Sequence, residues 1–491
     1  MQLPFGEWLP DQPDHLNPGS TVATNVYHAQ SSYKPVKGLV AYSGASNVTQ
    51  NAKGAGSFRD NTNTVFTFVG TKDNIYKLTS GTFTSVKGSL TISGSDTDFF
   101  TFTQFGQYII ASNGVNPPMY YLMGTSTNFA TLQSIATSGT VPSKFRVSGV
   151  IRDFLVTGNI ENAKNRVQWS GINDISTWEA GISSSDQQDL PGSGGQVVAI
   201  TSGEVGYVFR QNQIIRMDFV GGNTIFRFSV ISANRGAVYG QTVCQDNRQI
   251  FFYADDGFFQ INGDQVLPIG AEKVNRFFEN DLNKAYTDRI TSAVDPFNTL
   301  AIWLYPSKNN PNTTGICDRL LIYNYVTQKW SLANVKASQI FKQFVVANTV
   351  ELMDIISENL EDINISLDTA FWTTGHLYLG AIDENFKASI FSGKNLEAEL
   401  ETKETEIFPG ARANITGIRP LVDASANVIV KTRDKLADDV TSSASATMND
   451  SGINPVRKSG RYFRANVKIP AESIWSHAQG IDLIATPGGS R

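Results

Sequence analysis

The chain has 491 residues, of which 17% are charged and 11% are aromatic, and its formal net charge is −5 at pH 7. This weakly acidic balance excludes the global basic field that wraps nucleic acid around a protein, although DNA can still pass by without being held. No apolar stretch approaches the length of a membrane span, so we expect no membrane insertion. Abundant Gly, Ser, Thr and Asn favour strands and turns over helices.

Residues 1–64 predict an extended N-terminal arm, because regular structure is interrupted by Pro4, Pro10, Pro13 and Pro18. Phe5 and Trp8 are apolar anchors in this arm, and we interpret them as contacts with a neighbouring subunit. The alternative is that they pack on the body of their own chain. Short strands are predicted near residues 25–27 and 39–42, flanking a turn at Lys34–Pro35. The arm lacks the basic and apolar regions of a signal peptide, so we expect synthesis in the cytoplasm.

The stretch from Val65 to Val86 predicts a β-meander, since apolar runs alternate with polar turns. Comparable strands begin at Phe66, Ile109, Leu155, Val208, Phe252 and Ile302, with a weaker one at Phe371. Apart from the last interval, the spacing is 43 to 53 residues, which resembles the repeat of four-stranded propeller blades. We therefore predict an all-β fold in which residues 65–395 form a β-propeller with six or seven blades. An irregular multi-sheet protein without a closed ring is the alternative.

Two stretches have helical spacing instead. Residues 271–282 place Val274, Phe277 and Phe278 on one face, and residues 338–363 predict a helical insertion. From residue 396 the composition shifts, and alternating apolar residues at 463–469, with a partner at 427–431, predict a half-buried strand pair. Residues 396–491 are accordingly predicted to form a small C-terminal β domain.

An acidic run begins this last region, with carboxylates at Glu397, Glu399, Glu401, Glu404 and Glu406. Its spacing is mainly two, which places most of the carboxylates on one face of a strand. Such a face is usually a solvated edge. The sharper interpretation is an acidic channel lining that repels the phosphates of DNA.

The sequence offers no catalytic or cofactor motif. There is no P-loop, no nucleophile elbow and no pair of His residues at metal-binding spacing. Cys244 and Cys317 predict two buried thiols in a reducing compartment, because two cysteines form no disulfide framework. We therefore predict no enzymatic activity, no metal and no cofactor.

Three segments together resemble a known family. They are Asn25-Val-Tyr with the following Tyr33–Leu39, the Trp-Ser…Trp element Val167–Trp178, and the terminal Ser459–Asp482 with its Trp475-Ser-His. Their order and spacing are similar to the tail hub or nozzle proteins of short-tailed bacteriophages, also called packaged-DNA stabilisation proteins. Trp169 and Trp178 also make physical sense as a clamp around a turn, because each buries a large apolar area.

The resemblance implies a non-enzymatic virion protein. It implies a homo-oligomeric ring of about six propeller subunits below the portal and its adaptor, which retains packaged double-stranded DNA and conducts it during ejection. The implied partners are the portal-adaptor protein and tail needle or fibre proteins. The alternative function is a receptor- or glycan-binding propeller that stacks sugars on exposed aromatics such as Trp303, Trp330 or Trp372.

Overall fold

The computed structural model describes residues 1–15, 17–42, 46–310, 315–344 and 377–488. The N-terminal segment contributes five short strands: β1 (Gln2–Pro4), β2 (Ala23–Thr24), β3 (Val26–Ala29), β4 (Ser32–Pro35) and β5 (Val40–Ala41). The strands predicted near residues 26 and 40 are therefore present. The turn predicted at Lys34–Pro35 is wrong, because the reversal lies at Gln30 and Ser31, whose positive φ values of 49° and 60° suit a tight turn.

Five four-stranded antiparallel sheets follow one another along the chain and form blades 1 to 5. Blade 1 contains β6 (Ala55–Arg59), β7 (Val65–Gly70), β8 (Ile75–Thr79) and β9 (Thr82–Ser85). Blade 2 contains β10 (Thr101–Phe105), β11 (Tyr108–Ser112), β12 (Met119–Leu122) and β13 (Ala130–Thr131). Blade 3 contains β14 (Phe145–Ile151), β15 (Phe154–Ile160), β16 (Ala163–Trp169) and β17 (Asp186–Asp189). Blade 4 contains β18 (Val197–Ile200), β19 (Val205–Arg210), β20 (Ile214–Phe219) and β21 (Phe226–Ser232). Blade 5 contains β22 (Cys244–Asp246), β23 (Gln249–Ala254), β24 (Gly257–Asn262) and β25 (Gln265–Pro268).

Blades 6 and 7 share one long strand. Blade 6 contains β26 (Thr291–Asp295), β27 (Leu300–Tyr305), β28 (Cys317–Asn324) and the first half of β29 (Lys329–Phe344). At Ala337 the register shifts, and the second half of β29 pairs with β30 (Leu377–Asp383), which pairs with β31 (Ala388–Ile390). The outermost strand of blade 7 is β5, from the N-terminal segment.

The ring closes because the second half of β29 lies beside β26 on one side and beside β6 of blade 1 on the other. The fold is thus a seven-bladed β-propeller, and the prediction of a propeller is confirmed. All six strand openings predicted from residues 66 to 302 fall in the second strand of a blade. These strands pack against neighbouring blades on both faces, so they are continuous apolar runs. The weaker opening at Phe371 lies outside the described residues.

The C-terminal region forms a two-sheet sandwich with the N-terminal strands. One sheet has the order β2–β32–β38–β35–β36, with β33 beside β38, and the other has the order β3–β4–β39–β34–β37, with β1 beside β39. The new strands are β32 (Ala398–Glu401), β33 (Thr405–Glu406), β34 (Ala413–Val422), β35 (Asn427–Arg433), β36 (Thr441–Ser442), β37 (Asn454–Gly460), β38 (Tyr462–Ile469) and β39 (Ala478–Pro487). One hydrophobic core runs from blades 5 and 6 into this sandwich.

The predicted segment boundaries need correction. Residues 1–64 are not a separate arm, because β1 to β4 complete the sandwich, β5 completes blade 7, and blade 1 already begins at Ala55. The helix predicted at 271–282 is present as α1 (Asn275–Asp281), which buries Phe278. The helix predicted at 338–363 is wrong at its start, because residues 338–344 continue β29 as a strand. The remainder of that prediction lies outside the described residues.

Candidate functional site

The central channel of the propeller is lined by the innermost strands of the blades and encloses about 530 Å³. Its polar lining consists of hydroxyl and amide side chains, which include Thr103, Ser148, Thr201, Gln245 and Gln339. Among the described residues that line it, none is charged.

This channel is also too small to conduct duplex DNA. A cavity of about 530 Å³ is the size of a small-molecule site, whereas the major groove of B-DNA alone is about 12 Å wide and about 8.5 Å deep. Any passage of DNA must therefore run along the outside of the subunit.

The acidic run lies in the C-terminal sandwich and is paired with cations from neighbouring strands. Glu399 and Glu401 share one face of β32, as predicted, but Glu401 is only 1% exposed. The pairs are Glu399 with Lys468, Glu401 with Lys431 and Arg464, Glu404 with Arg433, and Glu406 with Arg461. Asn466 Nδ2 also donates to Glu399 Oε1 at 2.7 Å.

The prediction of a bare acidic lining is therefore wrong for Glu399, Glu401, Glu404 and Glu406, because adjacent basic side chains offset their charge. Glu397 lies just before β32 and is exposed. These ion pairs also hold the N-terminal segment against the sandwich. Asp14 Oδ2 lies 2.9 Å from Arg464 Nη1, and His15 Nδ1 lies 3.9 Å from Glu404 Oε2.

Phe5 and Trp8 lie in the core of their own chain, with 7% and 2% of their surfaces exposed. The Trp8 ring packs edge-to-face on Phe277 of α1 at a centroid distance of 4.9 Å, and its Nε1 donates to Thr21 O at 3.1 Å. Their assignment to a subunit or adaptor interface is corrected accordingly. They anchor the N-terminal segment to its own propeller and sandwich, because burial against the chain leaves no surface for a partner.

The aromatics proposed to stack on sugars are not available for that role. Trp303 and Trp330 are fully buried, and their rings stack on each other at 5.7 Å. Their indole nitrogens donate to backbone carbonyls of Thr242 and Ile269 at 2.9 and 2.8 Å. Trp372 lies outside the described residues.

A different cleft of about 570 Å³ lies between blades 2 and 3. It is lined by the β10–β11 turn, the β14–β15 turn and the loop after β16. Its apolar wall includes Ile135 and Val150. Its polar side chains are Gln107, Tyr108, Arg152, Asp153, Asn173, Asp174 and Ser176. Sequence reasoning did not find this cleft, because its residues are dispersed in turns and carry no motif.

Burial shifts the pKa values of both cysteines and of His28. Cys244 and Cys317 are buried free thiols, as predicted, and burial raises the pKa of Cys244 to about 12. The same cause raises the pKa of Cys317. His28 is 4% exposed, and burial, with a smaller contribution from the Lys329 ammonium, lowers its pKa to about 4. The two thiols are therefore protonated at pH 7 and lack the thiolate that nucleophilic or metal-binding Cys requires, and His28 is neutral.

No group of three or more His, Cys, Asp or Glu side chains in the described ranges is arranged to hold a metal ion. Over the same ranges, no helix combines the length and the apolar character that a membrane crossing requires.

The segments that carry the family resemblance occupy framework positions. Trp169, at the end of β16, packs in the core between blades 3 and 4, whereas Trp178 packs in the core between blades 2 and 3. Trp169 Nε1 donates to Ser184 O at 2.9 Å, and Trp178 Nε1 donates to Ile175 O at 2.8 Å. The two rings thus clamp blade 3 from opposite faces.

Comparison with known proteins gives no family. No protein-family model matches the chain, and no curated protein matches it. Among solved structures, the chain is similar to the Pan2 WD40 domain of Neurospora crassa (9% identity, TM-score 0.39, 74% of this chain and 96% of the other). It is also similar to the computationally designed Ika8 protein (9% identity, TM-score 0.38, 72% of this chain and 99% of the other). Likenesses at this level carry no argument, and the propeller is established by the strand order itself.

Proposed function

We propose that this protein is a structural virion protein that forms the tail nozzle, or hub ring, of a short-tailed bacteriophage. In this role it lies below the portal and adaptor, retains packaged DNA and conducts it during ejection. It is not an enzyme. The observation that carries the proposal is the continuous sheet that joins the propeller to the sandwich: Thr24 of β2 pairs with Leu332 of β29 and with Glu399 of β32.

A continuous sheet suits a wall that resists pressure. Inter-domain contacts within a chain are usually modest, and relative domain motion is then the default. Here the backbone hydrogen bonds of blade 6 continue through β2 into the sandwich, and one hydrophobic core runs beneath them. Such a body transmits force from one domain to the other without hinging, as a subunit of a DNA-retaining ring requires.

The DNA path in this proposal is the lumen between subunits. The propeller channel is neutral and too narrow, so the ring of about six subunits encloses the duplex. Because the acidic run is offset by basic neighbours, weak DNA affinity comes from the general acidic balance of the chain, with a net charge of −5. The partners are other copies of the chain, the portal-adaptor protein and a needle or fibre protein, and the location is the virion tail.

The experiment that tests the proposal is the mass of the purified protein by multi-angle light scattering, alone and mixed with a portal-adaptor complex. The proposal expects assembly into a ring on that complex and no turnover of polysaccharides. A chain that stays monomeric with every portal-adaptor complex offered would refute it.

A receptor- or glycan-binding propeller remains the second candidate function. Its original aromatic candidates, Trp303 and Trp330, are buried. The observation that favours it is the cleft between blades 2 and 3, which lies on the surface of the propeller and is lined by polar side chains.

A further inference from the structure

The cleft between blades 2 and 3 contains polar side chains that the fold does not use. In several turns of this protein an acidic or amide side chain caps its own backbone, as at Asp60, Asp295 and Asn324. Within the described part of the chain, the side chains of Gln107, Tyr108 and Asn173 form no hydrogen bond with protein atoms. Their donors and acceptors are therefore free for a ligand.

Asp174 provides the contrast within the same cleft. Its Oδ1 accepts from Ser176 N and Oγ at 2.8 and 2.7 Å, and its Oδ2 accepts from Thr177 Oγ1 at 2.6 Å. These hydrogen bonds hold the pKa of Asp174 below its usual value although burial opposes them. This carboxylate is committed to the loop after β16 and shapes the cleft wall rather than the ligand contact.

The charges in the cleft exclude ionic ligands. Arg152 Nε lies 3.9 Å from Asp153 Oδ2, and the Arg152 guanidinium also lies over the Phe219 ring at 4.6 Å. The cleft thus holds two carboxylates, Asp153 and Asp174, against one guanidinium, so a phosphate meets a surplus of like charge. A metal ion finds no set of ligands, because Asp174 is bonded to its own loop and no group of three or more His, Cys, Asp or Glu side chains in the described ranges is arranged to hold one. The ligand that fits is neutral and rich in hydroxyl groups.

The shape of the cleft supports the same class. Its volume of about 570 Å³ lies within the range of small-molecule sites, which combine apolar walls with a few polar groups that fix orientation. Tyr108 is half-buried beside Tyr120, with ring centroids 6.0 Å apart, and offers an aromatic wall. An extended peptide would instead require a free strand edge, whereas turn and loop residues dominate this lining.

We propose that this cleft binds a neutral oligosaccharide. Tyr108, with Ile135 and Val150, takes the apolar face of a sugar ring. The Asn173 and Gln107 amides and the Asp153 carboxylate bond its hydroxyls, since each of these groups can serve two neighbouring hydroxyls at once. This inference does not rest on the nozzle proposal, because a nozzle and a free-standing receptor protein can both carry such a site.

The test applies the full chain to a glycan array containing neutral, sialylated and sulfated oligosaccharides, together with extended peptides. The best neutral oligosaccharide is then titrated by calorimetry against the wild type, Asn173→Gly and Gln107→Ala. Glycine suits position 173 because φ there is +52°. The matched control is Asn247→Gly, an exposed asparagine with φ +50° in the β22–β23 turn of blade 5, outside the cleft.

We expect binding of a neutral oligosaccharide, about three- to tenfold weaker in Asn173→Gly and in Gln107→Ala and unchanged in Asn247→Gly. Circular dichroism of each variant checks that the fold is intact. Three results would overturn the proposal: no neutral oligosaccharide on the array is bound, only charged glycans or peptides are bound, or both cleft variants bind as the wild type does.

Discussion

The side chain of Asn25 accepts a hydrogen bond from the backbone amide of Asn334 at 2.7 Å. The same side chain donates through Nδ2 to Glu397 O at 2.7 Å. Asn334 belongs to β29 of the propeller and Glu397 precedes β32 of the sandwich. The side-chain amide of Asn25 therefore bonds both domains. Asn25 has φ +60°, a left-handed conformation that asparagine adopts more readily than most residues.

Asn25→Gly should weaken this junction. Glycine readily adopts the left-handed backbone conformation at this position, so the substitution removes the side chain without adding backbone strain. Both hydrogen bonds are solvent-exposed, so water can replace the lost acceptor of Asn334 N, and we expect a decrease of about 0.5–1.5 kcal/mol in the free energy of unfolding. Urea unfolding followed by tryptophan fluorescence measures it. The matched control is Asn63→Gly, an exposed residue with φ +63° in the β6–β7 turn. Equal loss in the two variants would contradict the role of Asn25.

Glu401 and Glu399 lie on the same face of β32 and should differ sharply on substitution. Glu401→Ala leaves Lys431 and Arg464 without the carboxylate that they share, and breaking a buried pair costs about 3–5 kcal/mol. Glu399→Ala removes a partly exposed pair with Lys468 at 3.8 Å and should cost less than about 1 kcal/mol. Chemical denaturation of both variants checks this order. If the two variants lost similar amounts of free energy of unfolding, the ion pairs of Glu401 with Lys431 and Arg464 would be effectively solvated.

His28 should make stability depend on pH in the acidic range. Its folded pKa is about 4 and an unfolded histidine has a pKa of about 6.5, so the unfolded chain binds the extra proton between these values. The contribution of His28 to the free energy of unfolding is fully present above pH 6.5. It is lost as the pH falls toward 4, which lowers the free energy of unfolding by up to about 3 kcal/mol.

The test of this dependence is thermal and urea unfolding between pH 4 and 7. His28→Gln should reduce the slope of stability against pH relative to the wild type. Asn63→Gly is the control, because it changes an exposed residue that does not titrate, and it should leave the slope unchanged. A slope that survives His28→Gln would contradict the assignment.

Trp8→Ala should destabilise the isolated subunit. The indole is 2% exposed and packs on Phe277, and large-to-small changes of this kind cost about 3–5 kcal/mol. The N-terminal segment should also become sensitive to limited proteolysis. Val326→Ala, at a position that is 68% exposed, should change neither property. If Trp8→Ala left the isolated subunit unaffected and impaired only assembly, the original interface interpretation would be restored.

The sequence predicts the blades because the second strand of each blade is buried on both faces. Leu155 lies in a strand in which every residue is buried, and Ile302 lies in another. Local apolar runs therefore mark these positions. The pairing of Val40 with Ile390 is invisible to the same reasoning, because a strand contributed across 350 residues of sequence leaves no local pattern.

Two mistaken predictions have similar causes. Ile340, Phe341 and Phe344 have a spacing that also occurs on a helix face, but here they lie in β29, the inner strand of blade 7. Tertiary pairing overrides that local pattern. The acidic run was correctly assigned to one strand face at Glu399 and Glu401, yet the cations that offset it come from β35 and β38. Neutralisation by distant strands cannot be predicted from the spacing of the acidic residues.

The nozzle proposal is tested most directly by the mass of the purified chain with and without a portal-adaptor complex. Light scattering should show that the mass of the complex increases by about six copies of the chain. Electron microscopy should show that these copies form a closed ring. A mixture in which the chain stays monomeric and the complex keeps its own mass would contradict the proposal.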